Sequence, residues 1–211
     1  MTRTKNNFDP ISGIYDFLSF IVFGNKIKQS QILLLSHIKD HQKILIIGGG
    51  TGWIIEEIVK LKKVTDLDYL ELSKGMIEQA SSRIPQNELT KVTFIHGDEQ
   101  EIGCQQKYDV IIGCYFFDMF EGRKLDTVVS KVAGALKSGG LLLVADFNIT
   151  PSSPLQHRVL VKMMYLFFRI LCNIEAKKLE RVQPVLEKYF LKKEYSVSIA
   201  GNLIVSEVYR K

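Results

Sequence analysis

The run Lys43-Ile44-Leu45-Ile46-Ile47 leads straight into Gly48-Gly49-Gly50-Thr51-Gly52. An apolar strand that feeds a cluster of glycines is how a doubly wound α/β sheet builds a nucleoside site at its first strand-to-helix turn. Glycine lets the backbone come close to a ligand. Glu71 follows nineteen positions after Gly52, and its two acceptor oxygens suit a ribose diol. The same spacing excludes other nucleotide loops. A dinucleotide fingerprint has glycines at its first, third and sixth positions. Counted from Gly48, the sixth here is Trp53, whose indole would foul the close helix–strand packing. A P-loop is excluded because no Gly-Lys-Ser/Thr follows. Cys104, Cys114 and Cys172 form no Cys-x-x-Cys pair, which argues against a disulfide or zinc framework and for a reduced, cytoplasmic compartment. No His, Cys and carboxylate cluster has metal-ligand spacing, so no metal is expected.

These groups need a scaffold, and the hydrophobic pattern describes one. Residues 1–40 read as a helical N-terminal cap, with Ile32, Leu35 and Ile38 spaced for a helix face packed on the core. Ile44–Ile47 is a buried strand and Trp53–Leu61 a helix. Val64–Glu71 is a second strand, and Ser73 caps a helix around Met76–Arg83. Val92–His96 and Tyr108–Cys114 are the third and fourth strands, the latter rich in β-branched residues, as in strands buried on both faces. A helix from about Arg123 to Lys137 stops at Ser138-Gly139-Gly140, before a fifth strand at Leu141–Phe147. Alternating strands and helices over 41–147 imply a mostly parallel sheet. The breaker Thr150-Pro151-Ser152-Ser153-Pro154 opens a different region, 148–190. It holds the apolar segment Val159–Cys172, too short and too charged to span a bilayer, and a helix at Val182–Tyr189 with Pro184 in its first turn. Residues 191–211 close the sheet with a hairpin of Tyr195–Ile199 and Leu203–Tyr209.

Bulk properties add limits. A chain of 211 residues suits one domain, and no signal sequence follows the polar Met1–Asn7. The net charge of +5 fits an anionic membrane surface or a nucleic acid, but a solvated basic face, such as the Lys177-Lys178 and Lys192-Lys193 pairs, is the commoner explanation.

In this order, the pieces resemble a class I S-adenosylmethionine-dependent methyltransferase. The carriers are Gly48-x-Gly50-Thr51-Gly52, Leu70-Glu71-Leu72-Ser73-x-x-Met76, His96-Gly97-Asp98 and Leu136-Lys137-Ser138-Gly139-Gly140. The resemblance implies a Rossmann-like, doubly wound seven-stranded sheet, mostly parallel with an antiparallel terminal strand. It has an N-terminal helical cap and a helical insertion before the last two strands. It also implies roles. Gly48, Gly49, Gly50, Thr51 and Gly52 pack against the methionine part and ribose of S-adenosylmethionine. Glu71 takes the ribose hydroxyls, and Leu72 and Met76 cover the adenine. Asp98 accepts from the adenine amine, Gly97 permits close approach and Glu99 lies beside it. Gly113, Cys114 and Tyr115, at the end of the fourth strand, line the methyl-transfer site. One position departs from the family: two before the first glycine, where an acid usually helps order the methionine ammonium, stands Ile46.

The apolar lead into three glycines is also similar to aminopropyltransferases of the spermidine synthase kind. Their aspartate-rich segment after the fourth strand is here Gly113-Cys114-Tyr115-Phe116-Phe117-Asp118, aromatic with one carboxylate. That segment also lacks the Asn/Asp-Pro-Pro-Tyr/Phe of nucleic-acid amino-methyltransferases, so no nucleic-acid substrate is expected. Its neighbours favour a small, uncharged or hydrophobic acceptor. Phe8-Asp9-Pro10-Ile11-Ser12-Gly13-Ile14-Tyr15-Asp16 resembles the opening of quinone-biosynthesis and related phospholipid methyltransferases, which implies a segment folded over the cofactor and a quinone-like acceptor. Val159–Cys172 then reads as a wall of a lipid-like acceptor site, as ordinary core or as a homodimer contact. A base for a phenol or amine acceptor would come from Tyr15, Asp118, His157 or Glu99. A third reading is a cofactor-binding protein without catalysis.

Overall fold

The computed structural model describes residues 8–61, 66–174, 176, 178–189 and 192–211. After a 3-10 turn at Asp9–Ile11 come α1 (Tyr15–Phe23) and α2 (Lys26–Leu35). The core then alternates β1 (Lys43–Ile47), α3 (Trp53–Lys60), β2 (Asp66–Glu71), α4 (Lys74–Ser82), β3 (Val92–His96), β4 (Tyr108–Cys114), α5 (Gly122–Ala135) and β5 (Leu136–Phe147). It ends with α6 (Leu155–Cys172), α7 (Gln183–Lys188), β6 (Lys192–Ile199) and β7 (Ile204–Arg210). The strand order is β3-β2-β1-β4-β5-β7-β6. β1 to β5 pair in parallel, while β7 runs antiparallel to both β5 and β6. This is the doubly wound, mostly parallel sheet expected of the sequence, with the order reversing between β1 and β4, where ligands of such sheets bind.

Alternation along β1 divides the core. Leu45 and Ile47 pack on the α5 and α7 side, with Leu125, Val128, Val129 and Val132 of α5 at helical spacing. Ile44 and Ile46 pack on the other side, against Leu34 of α2 and Ile55 of α3. A third cluster joins Ile11, Phe147, Val161, Tyr165 and Ile204, and ties the N-terminal turn to α6 and the closing hairpin.

Three sequence expectations change. Ile32 is half exposed, whereas Leu34, Leu35 and Ile38 are buried, because α2 ends at Leu35 and presents Leu34 to the sheet. Ser138-Gly139-Gly140 does not stop a helix. α5 ends at Ala135, and β5 starts at once, with Leu136 opposite Tyr108 and Leu141 opposite Val110. The glycines lie in a bulge, with Gly139 at φ +76°. The helix placed around Met76–Arg83 begins earlier, at Lys74, because the Ser73 hydroxyl caps it by accepting from the Met76 N–H at 3.1 Å. Val64 and Lys177, each part of an expected feature, fall outside the described residues.

Candidate active site

The carboxyl ends of β1, β2 and β4 open on one cavity. It is lined by Gly48, Gly49, Gly50 and Thr51 of the first turn, and by Glu71, Leu72 and Met76 of the second. Gly97, Asp98, Glu99 and Cys114 complete it. Every residue expected to touch the cofactor is therefore gathered here except Gly52. A Cβ on Gly52 would lie 2.4 Å from the Ala80 Cα, so this glycine serves the crossing of α3 and α4. Gly50 is different: its φ is +63° and nothing but the Met76 sulfur, at 4.0 Å, stands in front of its Cβ direction. Its open face is where a ligand can lie on the backbone.

The loop is held from three sides. The Tyr69 hydroxyl donates to the Gly50 carbonyl at 2.8 Å. Glu71 accepts from the N–H of Gly50 at 3.0 Å and of Ser73 at 2.8 Å. Burial pushes the Glu71 carboxyl up in pKa, and the backbone donors at Ser73 and Gly50 pull against that rise. With one lone pair of each oxygen already used, Glu71 retains acceptor capacity toward the cavity. Asp98 caps the 3-10 turn at Glu99–Glu101 by accepting from the Gln100 N–H at 2.8 Å. Glu99 is ion-paired with Lys124, so its carboxylate is already engaged.

The third hold comes from α1, which folds over the loop. Asp16 accepts from the Thr51 hydroxyl at 2.6 Å and pairs with Arg83, and Arg83 also donates to the Thr51 carbonyl at 2.8 Å. Asp16 thus supplies a carboxylate beside the glycine loop. The Ile46 position cannot do so, since its side chain is 1% exposed and points into the core.

A second cavity adjoins the first and shares Phe8, Tyr15, Ser19, Ile27, Tyr115 and Met119 with it. Its other walls come from α1 and α6, among them Leu18, Phe23, Leu160, Met164 and Phe168. They are almost wholly apolar, and the space is about 280 Å³. Tyr115 stands at the junction with φ +54°, unusual for a bulky residue and typical of functional positions. Its hydroxyl is 2.8 Å from that of Ser30.

The proposed bases separate here. Tyr15 lies at the junction, but burial, with the Asp118 and Asp16 charges, pushes its pKa far above the ordinary phenol range. Asp118 lines the apolar cavity, 8% exposed, and its Oδ1 has no hydrogen-bond partner among the described residues. Burial raises its carboxyl to about 7. Asp146 of β5 is buried beside it and is pushed up by burial and by the Asp118 charge. Asp146 stands as a lone carboxylate within the apolar run Leu141–Phe147, the sequence signal by which it can be found. His157 lines neither cavity. It sits in the first turn of α6 against the Gly201 turn of the closing hairpin, with Nδ1 buried and unpartnered, so it is remote from the transfer site. Cys114 lines the first cavity, and burial lifts its thiol to about 12, so it stays a neutral wall residue. Among the described residues, no group of three or more His, Cys, Asp or Glu could hold a metal ion.

The fold is the one shared by the class I S-adenosylmethionine-dependent methyltransferases. Residues 45–142 match the family model described as a methyltransferase domain. A malonyl-[acyl-carrier protein] O-methyltransferase of Priestia megaterium is 34% identical over 50% of this chain and 36% of its own length. A polyamine aminopropyltransferase of Methanocaldococcus jannaschii is 30% identical over 52% of this chain and 44% of its own. A carboxy-S-adenosyl-L-methionine synthase of Nautilia profundicola is 26% identical over 74% of this chain and 67% of its own. The chain thus spans less than half the length of the first two relatives. In fold it is similar to the N-methyltransferase NodS of Bradyrhizobium japonicum WM9, solved with S-adenosyl-L-homocysteine. That likeness has a TM-score of 0.65 at 14% identity and covers 89% of this chain and 86% of that one.

The residues present fit the cofactor of this class, S-adenosylmethionine. Asp16, Glu71 and Asp98 line the cavity with Lys28 as the facing cation. An acidic cleft suits a sulfonium and an ammonium, and would repel a pyrophosphate. Glu71 is a buried carboxylate without a cationic partner among its contacts, and hydroxyl donors would complete its hydrogen bonding. Leu72 and Met76 offer the apolar contact an adenine needs.

Proposed function

We propose that this protein transfers a methyl group from S-adenosylmethionine to a small lipophilic acceptor, with quinol-like molecules as the favoured class. What carries the reading is the pairing of two joined cavities, one lined by carboxylates around a glycine loop and one almost entirely apolar. The cofactor supplies a methyl already activated on a sulfonium. The protein's task is then to hold acceptor and methyl in line and keep water out, which can provide most of the rate. In this reading Glu71 takes the ribose, Asp98 the adenine amine, and Asp16 does for the ammonium what an acid at position 46 does elsewhere. Tyr15 and Tyr115 frame the passage between the cavities. Asp118 accepts the proton of an acceptor hydroxyl, since it lines the apolar cavity and its carboxyl has a pKa of about 7.

Similarity to a polyamine aminopropyltransferase favours a second reading, aminopropyl transfer from decarboxylated S-adenosylmethionine. The apolar second cavity is a poor host for a polycation. Titration calorimetry with S-adenosylmethionine, S-adenosylhomocysteine and decarboxylated S-adenosylmethionine separates the two. Binding of the first two supports methyl transfer and leads to a screen of quinols by release of S-adenosylhomocysteine. Preference for the decarboxylated form, or no turnover of any lipophilic acceptor alongside turnover of putrescine, sinks it.

A further inference from the structure

Helix α6 is apolar on two sides. Val161, Tyr165 and Cys172 are buried inward, while Leu155, Val159, Met163, Leu166 and Ile170 recur along the opposite stripe and are exposed, four of them at more than half their surface. α1 has no buried residue at all, and its Phe17, Phe20 and Ile21 are 57–65% exposed. An outward apolar face of this size is unusual for a folded surface and marks an interaction site. It is continuous with the second cavity, because Val22, Met163 and Phe167 are at once exposed and part of its wall.

The segments that carry this face are basic beyond Asp16, which pairs with Arg83 at the start of α1. Residues 17–39 and 147–174 hold six cations, among them exposed Lys26, Lys28, Arg158, Lys162 and Arg169, and no Asp or Glu. The rest of the chain has 22 Lys and Arg against 23 Asp and Glu, so the whole basic excess of the protein lies in these two segments. Apolar helices rimmed by cations are what binds at the interface of an anionic bilayer. Two copies of this chain meeting through the face would instead set like charges against each other.

We propose that the α1–α6 face docks on an anionic lipid bilayer, with the mouth of the apolar cavity turned to the hydrocarbon. That a lipid-soluble acceptor then enters directly from the bilayer rests on the methyltransferase reading; the docking itself does not.

The test uses the full chain in flotation with vesicles of phosphatidylcholine alone and of phosphatidylcholine with phosphatidylglycerol in equal parts. Phe17, Ile21, Leu166 and Ile170 line neither cavity, so F17S/L166S/I170S removes apolar contact without touching the proposed sites, and K162E/R169E reverses charge. The protein should bind the anionic vesicles, lose at least about tenfold in affinity in either variant, and weaken with salt. Calorimetric binding of S-adenosylhomocysteine should be unchanged in both variants. Equal binding by the variants, or no preference for the anionic vesicles, overturns the proposal. So does a stable dimer in light scattering that F17S/L166S/I170S dissolves. If no cofactor binds but vesicle docking holds, the methyltransferase reading fails and the docking stands.

Discussion

Burial of the Asp118 carboxyl makes the stability of the fold depend on pH. Its folded pKa is about 7 against a reference of 3.8. The folded state therefore binds this proton more tightly than the unfolded chain. Well below pH 3.8 both states are protonated and the site is neutral toward folding. As pH rises through 7, the folded form must ionise a carboxyl buried beside Asp146, and stability falls. A rise from 3.8 to about 7 amounts to about 4 kcal/mol at full effect, of which roughly 2–3 kcal/mol is lost between pH 5 and 8. Asp118→Asn keeps the shape of the protonated acid but cannot ionise. In urea or thermal unfolding the variant's advantage over the wild type should widen by about 2–3 kcal/mol from pH 5 to pH 8. For a chain of this length that is roughly 5–10 °C in Tm. Differencing the two proteins cancels the other titrating groups, Asp146 apart. Parallel pH profiles would refute the argument, because Asp118 would then ionise as a solvated carboxylate. Under the proposed function the same variant gains stability and loses turnover of a hydroxyl acceptor, a trade that a purely structural carboxyl would not make.

The other predictions address the cofactor side. Glu71→Ala should weaken S-adenosylhomocysteine binding by roughly 2–3 kcal/mol in calorimetry, the loss of charge-assisted bonds, and unchanged affinity removes Glu71 from the ribose. Asp16→Asn should weaken binding of S-adenosylmethionine more than that of adenosine, since the proposed role concerns the amino-acid end; equal effects on both ligands would count against it. Gly52→Ala should lower stability by about 2–4 kcal/mol in urea unfolding, because its Cβ meets the Ala80 backbone at 2.4 Å and its φ is +86°. Ile46→Asp should destabilise the fold by at least about 3 kcal/mol and leave cofactor affinity no better, and tighter binding at full stability would show that position 46 does face the ligand.

How much of this was legible in the sequence depended on whether the determining contact was local. The strands β1, β3 and β4 and the closing hairpin were readable to within a few residues, since short apolar runs between turn signals have few alternatives. The glycine turn, Glu71, Leu72, Gly97, Asp98 and Cys114 were readable for the same reason, since they lie at or just past the carboxyl ends of β1 to β4, whereas the walls that α1 and α2 supply were not. Where α5 gave way to β5 was not readable. Ser138-Gly139-Gly140 reads equally as a helix stop or as a bulge, and only the pairing of Leu136 with Tyr108 decides. Gly52 was assigned to the ligand because spacing cannot distinguish a glycine that admits a cofactor from one that admits a neighbouring helix.

Position 46 shows the limit most clearly. Read along the chain, an isoleucine where relatives carry an acid is a missing function. Read in space, alternation along β1 directs Ile46 into the α2–α3 core, where a carboxylate would be unpaired. The acid beside the glycine loop comes instead from Asp16, thirty-five residues before Thr51, fixed by Thr51 and Arg83. Those partners neutralise part of its charge, so Asp16 would order an ammonium by position more than by field strength. The same helix that brings Asp16 inward carries Phe17, Phe20 and Ile21 on its outer side. One element thereby links the cofactor cavity to the apolar surface. If docking orders α1, binding of S-adenosylhomocysteine should tighten when anionic vesicles are present, because a helix already held in place no longer loses that freedom on binding.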